Sequence, residues 1–158
     1  MAILKKHRIL ILGVSSFLGR AIYRELHPYF QTFGTYRTSC ITYENNTHFY
    51  RYDFEEDDIF EILNQVRPTI IISSLRGEFS GQLTAHNHLY EYIIHKKQCK
   101  VMFLSSANVF DAYSKFPSYE NDTTFSNSKY GHLKIRLEQL FLKLPTKKVA
   151  IIRLPMVF

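Results

Sequence analysis

Short apolar runs alternate along this chain with longer segments whose apolar residues recur every three to four positions. The runs are typical of strands buried on both faces, and the periodic segments are typical of amphipathic helices. The runs predict strands at Arg8–Leu12, 32–36, 48–52, 69–73, 100–105 and 148–153. The periodic segments predict helices from Ser15 or Ser16 to about Leu26, over 55–66 and 80–97, and from Asn127 or Ser128 to Leu144.

This alternation predicts an α/β fold of the Rossmann type, a doubly wound parallel sheet with helices on both faces. The length of 158 residues suits one domain, so we expect residues 1–158 to share one core. Ligands of such sheets bind beyond the carboxyl ends of the strands, where the strand order reverses. The residues that follow each strand are therefore the candidate functional residues.

A glycine-bounded turn follows the first predicted strand. It reads Gly13-Val14-Ser15-Ser16-Phe17-Leu18-Gly19. The first glycine permits a tight turn, and the last lets the following helix pack closely on the sheet. The amide groups at the start of that helix then face a pyrophosphate. Two glycines alone are a weak signal, but their place between the first strand and the first helix strengthens it.

The ends of the second and third strands supply candidates for the adenosine part of a dinucleotide. Tyr36-Arg37 follows the second strand, where NAD-selective sites usually carry an acid for the ribose 2′-hydroxyl. A guanidinium suits a 2′-phosphate, so Arg37 favours NADP(H) over NAD(H), although it also fits an exposed surface arginine. Asp53-Phe54 follows the third strand, and Asp53 either holds the adenine edge or caps the helix near Glu55.

Hydroxyl groups and a lysine lie where catalytic residues are expected. Ser105-Ser106 ends the fifth strand, and Tyr130 and Lys134 open the following helix. Residues four apart share one helix face, and an ammonium beside a phenol stabilises the phenolate. Tyr130 would then protonate a carbonyl oxygen as hydride arrives. A lone Tyr-x-x-x-Lys pair is more often a solvated helix face.

Together these residues resemble the extended short-chain dehydrogenase/reductases, especially the sugar-nucleotide members. Those members include dTDP-4-dehydrorhamnose reductase and the NAD-dependent sugar epimerases and dehydratases. The matching features, in chain order, are the Gly13 to Gly19 turn, Asp53, Phe103-Leu104-Ser105-Ser106-Ala107-Asn108-Val109-Phe110-Asp111, Glu120, Tyr130-Gly131 with Lys134, Glu138, and Ile151-Ile152-Arg153-Leu154-Pro155. They cover nearly the whole chain.

The resemblance implies a role for each of these groups. Tyr130 would be the catalytic acid/base, and Lys134 would hold the nicotinamide ribose and tune Tyr130. Ser106 would hydrogen-bond the substrate oxygen, with Ser105 as the less favoured alternative. Ser73-Ser74-Leu75 would line the cofactor, where the family often has Asn-Ala. The implied reaction is hydride transfer at a carbon of a nucleotide-linked sugar; the alternative is a cofactor-binding or regulatory module without chemistry.

Several positions depart from the family pattern. Ser16 replaces the middle glycine of the phosphate turn, and Leu75-Arg76 replaces small residues beside the cofactor. Ala107 stands where the rhamnose-type reductases carry an acid, which argues against that activity. The family also continues beyond the strand that ends near Arg153, so we expect its C-terminal substrate domain to be absent from this chain.

Composition narrows the classes of partner. The formal net charge is +6, but the 20 Lys and Arg are scattered along the sequence, so nucleic acid is not the expected partner. Cys40 and Cys99 lack metal-ligand spacing, and His86, His88 and His95 do not form a tight metal pair, so no metal is expected. Apolar runs are too short to span a bilayer, which favours a cytoplasmic protein. By the resemblance a homodimer, paired through the last two helices, is a further expectation.

Overall fold

The computed structural model describes residues 6–38, 40–114 and 118–155, and the alternation in the sequence appears there as strands and helices in turn. The strands are β1 (Arg8–Leu12), β2 (Gln31–Tyr36), β3 (Phe49–Arg51), β4 (Ile70–Ser73), β5 (Lys100–Ser106) and β6 (Val149–Leu154). The helices are α1 (Phe17–Leu26), α2 (Ile41–Glu44), α3 (Ile59–Val66), α4 (Phe79–His95) and α5 (Lys129–Phe141).

All six strands belong to one parallel sheet in the order β3-β2-β1-β4-β5-β6. The chain builds outward from β1 to β3 on one side, then returns to the other side of β1 to add β4, β5 and β6. The predicted doubly wound α/β architecture is therefore confirmed. The order reverses between β1 and β4, and this reversal opens a crevice at the carboxyl ends of these strands.

Two apolar cores cover the two faces of the sheet. Successive side chains of a strand point to opposite faces, and β1 divides accordingly. Leu10 and Leu12 pack with apolar residues of α3, α4 and α5, whereas Ile9 and Ile11 pack with residues of α1. All four side chains are almost fully buried. The near-continuous apolar sequence of β1 thus follows from burial on both sides.

Serine residues fix the starts of the helices that carry the candidate site. The Ser16 hydroxyl accepts a hydrogen bond from the Gly19 amide at the start of α1, and the Ser128 hydroxyl accepts one from the Gly131 amide at the start of α5. Such caps satisfy amide groups that have no partner within the helix. Of the alternatives left open by the sequence, the structure selects Ser16 and Ser128.

The segment after β3 differs most from its prediction. The helix predicted over 55–66 begins only at Ile59, where Asp58 caps the Phe60 amide at 2.9 Å. The Asp53 carboxylate accepts instead from the Glu55 amide at 3.1 Å and shapes a turn. Asp53 therefore does not cap α3, and the early acids that suggested a helix start belong to this turn. The short helix α2 was not predicted.

Candidate active site

A cavity of about 400 Å³ lies at the carboxyl ends of the strands, beside the reversal in strand order. It is lined by Ser16, Leu18, Ser74, Leu75, Arg76, Gly77, Phe79, Gln82, Leu104, Ser105, Ser106, Asn108, Tyr130, Lys134, Leu154 and Pro155. Seven of the predicted site residues are among them: Ser16, Leu18, Ser74, Leu75, Ser106, Tyr130 and Lys134. The fold thus brings together residues that are more than a hundred positions apart in sequence.

The turn after β1 requires both of its glycines. Gly13 has a φ of +79°, which L side chains rarely adopt, and a Cβ there would lie 3.0 Å from the Ser74 carbonyl oxygen. A Cβ on Gly19 would collide with the Gly13 carbonyl oxygen. The backbone of α1 consequently approaches β1 closely, and the start of the helix opens at the cavity.

Ser16 occupies its position without backbone strain. Its φ of −69° is open to any residue, and its hydroxyl bonds the Gly19 amide at 3.0 Å and the Ser74 hydroxyl at 3.3 Å. The amides of Phe17 and Leu18 enter no hydrogen bond with other described residues and lie at the positive end of the helix. Ser15 and Phe17 are exposed beside them. This helix start has the donors that a pyrophosphate needs.

Ser106, Tyr130 and Lys134 line the same cavity. The Ser106 hydroxyl donates to Asn108 Oδ1 at 2.9 Å and accepts from the Asn108 amide at 3.2 Å. Tyr130 is 42% exposed, so its phenol is open to a ligand. The Lys134 ammonium lies 5.6 Å from the centroid of the Tyr130 ring. A proton donor, a cation and a hydroxyl therefore face one space.

Lys134 is buried, although it is a lysine. Its Nζ donates to the Leu104 carbonyl oxygen at 3.1 Å, and the side chain is 7% exposed. Burial, together with the nearby charge of Arg76, lowers the pKa of Lys134 to about 8. An anionic or hydroxyl-bearing ligand in the cavity would stabilise the charged form of this lysine.

Ser105 and Ser106 are adjacent but differ in their partners. The Ser105 hydroxyl donates to the buried Glu138 carboxylate, which also pairs with Arg153. The Ser106 hydroxyl bonds only to Asn108 among the described residues. Because a hydroxyl held by a buried carboxylate is hard to redirect, the geometry favours Ser106 as the group that contacts substrate.

A second group of predicted residues lies toward the ends of β2 and β3. Arg37 Nε contacts Asp53 Oδ2 at 3.0 Å, its Nη2 lies 3.5 Å from Glu55, and its guanidinium lies 5.6 Å from the centroid of Phe54. Hydrogen bonds from Glu55 and Arg37 lower the pKa of Asp53. Gly77, which lines the cavity, adjoins Phe54 and Arg37. The two groups thus form one continuous surface.

Two predicted cofactor residues direct their side chains elsewhere. Ser73 is 2% exposed, and its hydroxyl lies 2.8 Å from Nε2 of His86. The other ring nitrogen of His86 lies 2.6 Å from the Gln82 carbonyl oxygen, and burial lowers the pKa of this histidine to about 4. Tyr36 is buried and stacks on Tyr43. The side chains of Ser73 and Tyr36 therefore belong to the core.

Gln82 and Asn108 belong to the site but were not singled out in the sequence. Gln82 is 3% exposed, lines the cavity and donates to the Gly77 carbonyl oxygen at 2.8 Å, which fixes the loop after β4. Asn108 holds the Ser106 hydroxyl. A buried amide in the first turn of a helix that begins at the strand ends was the available signal for Gln82.

The described residues hold neither a group of metal ligands nor a helix able to span a membrane. No three His, Cys, Asp or Glu side chains within 6–38, 40–114 and 118–155 are grouped as metal ligands. In the same ranges, every helix is too short or too polar to cross a membrane.

Solved structures share this architecture. UDP-glucose 4-epimerase from Bifidobacterium longum, in complex with NAD⁺ and UDP, superposes with a TM-score of 0.77 at 16% identity, over 92% of this chain and 52% of that chain. UDP-glucuronic acid 4-epimerase from Bacillus cereus, in complex with NAD, superposes with a TM-score of 0.74 at 20% identity, over 95% of this chain and 57% of that chain. L-threonine 3-dehydrogenase from Trypanosoma brucei superposes with a TM-score of 0.74 at 14% identity, over 94% of this chain and 53% of that chain.

These similarities establish the fold, and the chain spans little more than half the length of the structures just named. The proteins in those structures differ in substrate: one is named for an amino acid, and two are named for sugar nucleotides. A comparison with curated protein sequences finds no match. The sequence profile of the NAD dependent epimerase/dehydratase family, however, matches residues 9–158. By that match over nearly its entire length, the chain belongs to the NAD dependent epimerase/dehydratase family.

Proposed function

We propose that this chain binds a nicotinamide dinucleotide and supplies the catalytic residues of an enzyme that acts on a nucleotide-linked sugar. The observation that carries the proposal is the convergence of Ser106, Tyr130 and Lys134 on one cavity, opposite the start of α1. The family match and the sugar-nucleotide epimerases among the structural neighbours support the substrate class.

The residues fit such a cofactor at both ends. The amides of the Gly13 to Gly19 turn would hold the pyrophosphate, and Lys134, which lines the same cavity, would hold the nicotinamide ribose. A bound nicotinamide supplies or accepts the hydride. The Tyr130 phenol moves the proton to or from the sugar oxygen, the Lys134 ammonium stabilises the phenolate, and the Ser106 hydroxyl orients that oxygen.

The sequence favoured NADP(H) because of Arg37, but the contacts of Arg37 favour the opposite choice. Its guanidinium is shared between Asp53 and Glu55, and a 2′-phosphate would have to compete with both carboxylates. Structural neighbours are also crystallised with NAD. We therefore propose NAD(H) as the cofactor, in place of the NADP(H) that Arg37 suggested in the sequence, and direct titration with both dinucleotides tests this choice.

The residue that follows Ser106 bears on which reaction the site supports. Ala107 carries no proton-transfer group, so a reaction of the dTDP-4-dehydrorhamnose reductase type, which the resemblance suggested, has the weaker support. Epimerisation at the oxidised carbon needs only the hydride, Tyr130 and a substrate oxygen, whereas dehydration also needs a base for the proton beside the carbonyl and an acid for the leaving hydroxyl. UDP-glucose and UDP-glucuronic acid, which the neighbouring structures name, are the first substrates to test.

The predicted homodimer also stays a proposal. The exposed side chains of Ile94 near the end of α4 and Leu142 just after α5 would be covered in a partner that packs these helices together. A sedimentation mass equal to two chains at micromolar concentration is the expected result, and a mass of one chain contradicts it.

Calorimetric titration of the chain with NADH and with NADPH tests the cofactor site, and NADH should bind more tightly. Incubation with NAD⁺ and either UDP-sugar, followed by nicotinamide absorbance and product analysis, tests the chemistry.

Tyr130→Phe should abolish turnover and leave NADH affinity nearly unchanged, whereas the matched change Tyr29→Phe, at an exposed tyrosine before β2, should alter neither. Failure of both dinucleotides to bind at millimolar concentration overturns the proposal; binding with no turnover in the parent chain supports the non-catalytic alternative.

A further inference from the structure

The amino ends of four adjacent strands carry a concentration of positive charge. We define the amino edge as residues 6–10, 64–70, 95–101 and 142–150, which precede or begin β1, β4, β5 and β6. These segments contain none of the 14 Asp and Glu of the chain and nine of its 20 Lys and Arg. The nine are Lys6, Arg8, Arg67, Lys96, Lys97, Lys100, Lys143, Lys147 and Lys148.

The fold creates this concentration. Outside the amino edge the chain has 11 Lys and Arg against 14 Asp and Glu, so the whole positive excess of +6 arises at the edge. Because β1, β4, β5 and β6 are consecutive in the sheet, their starts lie within roughly 15 Å, at about 4.8 Å per strand. Cations that are scattered in the sequence are therefore gathered on one end of the molecule.

Hydrogen bonds join the four segments into one surface. Lys148 Nζ donates to the carbonyl oxygens of Ile93 and Lys96, at 2.8 and 2.9 Å, and so ties the start of β6 to the end of α4. The Lys100 amide donates to the Thr69 carbonyl oxygen at 3.0 Å, and the Thr69 amide donates to that of Arg8 at 2.8 Å. The backbone segments that carry the cations are thus held at fixed relative positions.

Most of these cations face solvent without an acidic partner. Each ion pair in the described part of the chain lies outside the amino edge. Lys148 and Arg8 bond within the protein, whereas Lys6, Arg67, Lys97, Lys100 and Lys147 are exposed. The surface therefore carries several charges that are free to meet an anionic partner.

Helix ends explain only part of this charge. Cations near the carboxyl end of a helix interact favourably with its dipole, and Arg67 and Lys96 cap α3 and α4 in this way. Lys100 begins a strand, Lys6 precedes one, and Lys147 lies in a single 3₁₀ turn of three residues, so the dipole of a longer helix does not account for them. The excess is larger than helix stability requires.

Three of the cations line a recess. A cavity of about 650 Å³ between the ends of α3 and α4 is lined by Arg67, Lys96 and Lys97, by the amide side chains of Asn64 and Gln98, and by Tyr92. Amide side chains donate and accept hydrogen bonds, as the edges of nucleobases also do. Just before β2, next to β1, the ring of Tyr29 is 57% exposed and offers a stacking surface.

We propose that the amino edge binds single-stranded nucleic acid, with phosphates on the exposed lysines and Arg67 and with bases in the recess. Charge complementarity indicates a polyanion, and the recess with its amide groups favours a strand over the flat surface of an anionic membrane. This surface lies at the opposite end of the strands from the Tyr130 cavity. The two proposed sites share no lining residue.

Fluorescence anisotropy with a labelled single-stranded oligonucleotide of mixed sequence tests the proposal. Affinity should fall steeply with salt. In a plot of the logarithm of the association constant against the logarithm of the salt concentration, each phosphate contact should contribute about −0.7 to the slope. The double change Lys97→Glu with Lys147→Glu should weaken binding at least about tenfold and reduce that slope by about 1.4. A matched double change at the other end of the sheet, Arg20→Glu with Lys129→Glu, alters the net charge equally and should leave most of the binding in place.

Several results would overturn the proposal. Equal weakening by both double variants shows that net charge alone drives association, and displacement of the oligonucleotide by NADH places it in the Tyr130 cavity instead. Binding to phosphatidylserine vesicles without binding to the oligonucleotide identifies a membrane surface. Circular dichroism melting of each variant confirms folding, and NADH titration keeps this outcome separate from the proposed enzymatic function.

Discussion

Glu138 of α5 and Arg153 of β6 form a two-contact ion pair, with Arg153 Nε 3.0 Å from Glu138 Oε1 and Nη2 2.8 Å from Oε2. The Glu138 side chain is 2% exposed and also accepts from the Ser105 hydroxyl. Arg153 donates further to the Glu120 carbonyl oxygen at 2.7 Å. This network fixes the end of β5, where Ser106 lies, against α5, which carries Tyr130 and Lys134.

Replacing Glu138 by Gln should therefore destabilise the fold. The change leaves a half-buried guanidinium without its carboxylate, a loss of about 3 kcal/mol in the free energy of unfolding. Urea denaturation measures this loss. Glu91→Gln, at an exposed position on α4, is the control and should cost less than about 0.5 kcal/mol. Equal effects of the two changes would show that the buried pair has no special role.

The order and type of the strands and main helices could be predicted because their signal is local. A buried strand such as β1 is apolar at every position, and a helix such as α5 repeats its apolar residues, so each element is visible without its neighbours. The grouping of the candidate site residues in one cavity was also predictable, since strand ends in a parallel sheet meet at one edge. Their predicted roles stay untested.

What could not be predicted depends on contacts between distant segments. The pairing of Arg37 with Asp53 and Glu55 requires the ends of β2 and β3 to be adjacent, and this pairing is the ground on which we propose NAD(H) instead of the NADP(H) that Arg37 suggested by itself. The start of α3 shifted because the acids after β3 stabilise a turn. The charge of the amino edge depends on strand order, which residue-by-residue inspection cannot supply.

The Arg37–Asp53 pair yields a prediction about cofactor choice. Asp53→Asn removes one of the two carboxylates that hold Arg37, so the guanidinium becomes available to a 2′-phosphate. The ratio of NADPH affinity to NADH affinity should rise about tenfold, equivalent to about 1.4 kcal/mol. Calorimetry with both dinucleotides gives this ratio. In the double variant Asp53→Asn with Arg37→Ala the rise should disappear; its persistence would mean that Arg37 is not the contact.

Substitutions of Ser16 distinguish its role as the cap of α1 from its effect on the phosphate turn. Ser16→Ala removes the bond to the Gly19 amide and should lower the free energy of unfolding by about 1 kcal/mol, whereas Ser16→Gly should cost only a few tenths. Because the Ser16 hydroxyl is directed at the helix and at Ser74, NADH affinity should change less than threefold in either variant. A large gain in affinity for Ser16→Gly would instead show that the serine obstructs the pyrophosphate.

The buried Lys134 should give stability a distinctive dependence on pH. Its folded pKa of about 8 lies below the value of 10.5 expected for an unfolded chain, so between these values the unfolded state binds more protons. The penalty for burying the charged lysine is complete below about pH 8, and stability rises as pH increases from there toward about 10.5. The gain amounts to as much as about 3 kcal/mol.

Lys134→Met tests this dependence, because methionine fills similar space and does not titrate. The free energy of unfolding of the parent minus that of the variant should increase between about pH 7.5 and about pH 10. Using the difference cancels the contributions of other groups, such as Cys99, whose pKa burial raises to about 12 and which acts in the opposite direction. Lys129→Met, at an exposed position five residues earlier on α5, is the control for removing a lysine from this helix, and the increase should be larger for Lys134→Met. A flat difference for Lys134→Met would mean that Lys134 is solvated and titrates as an ordinary lysine.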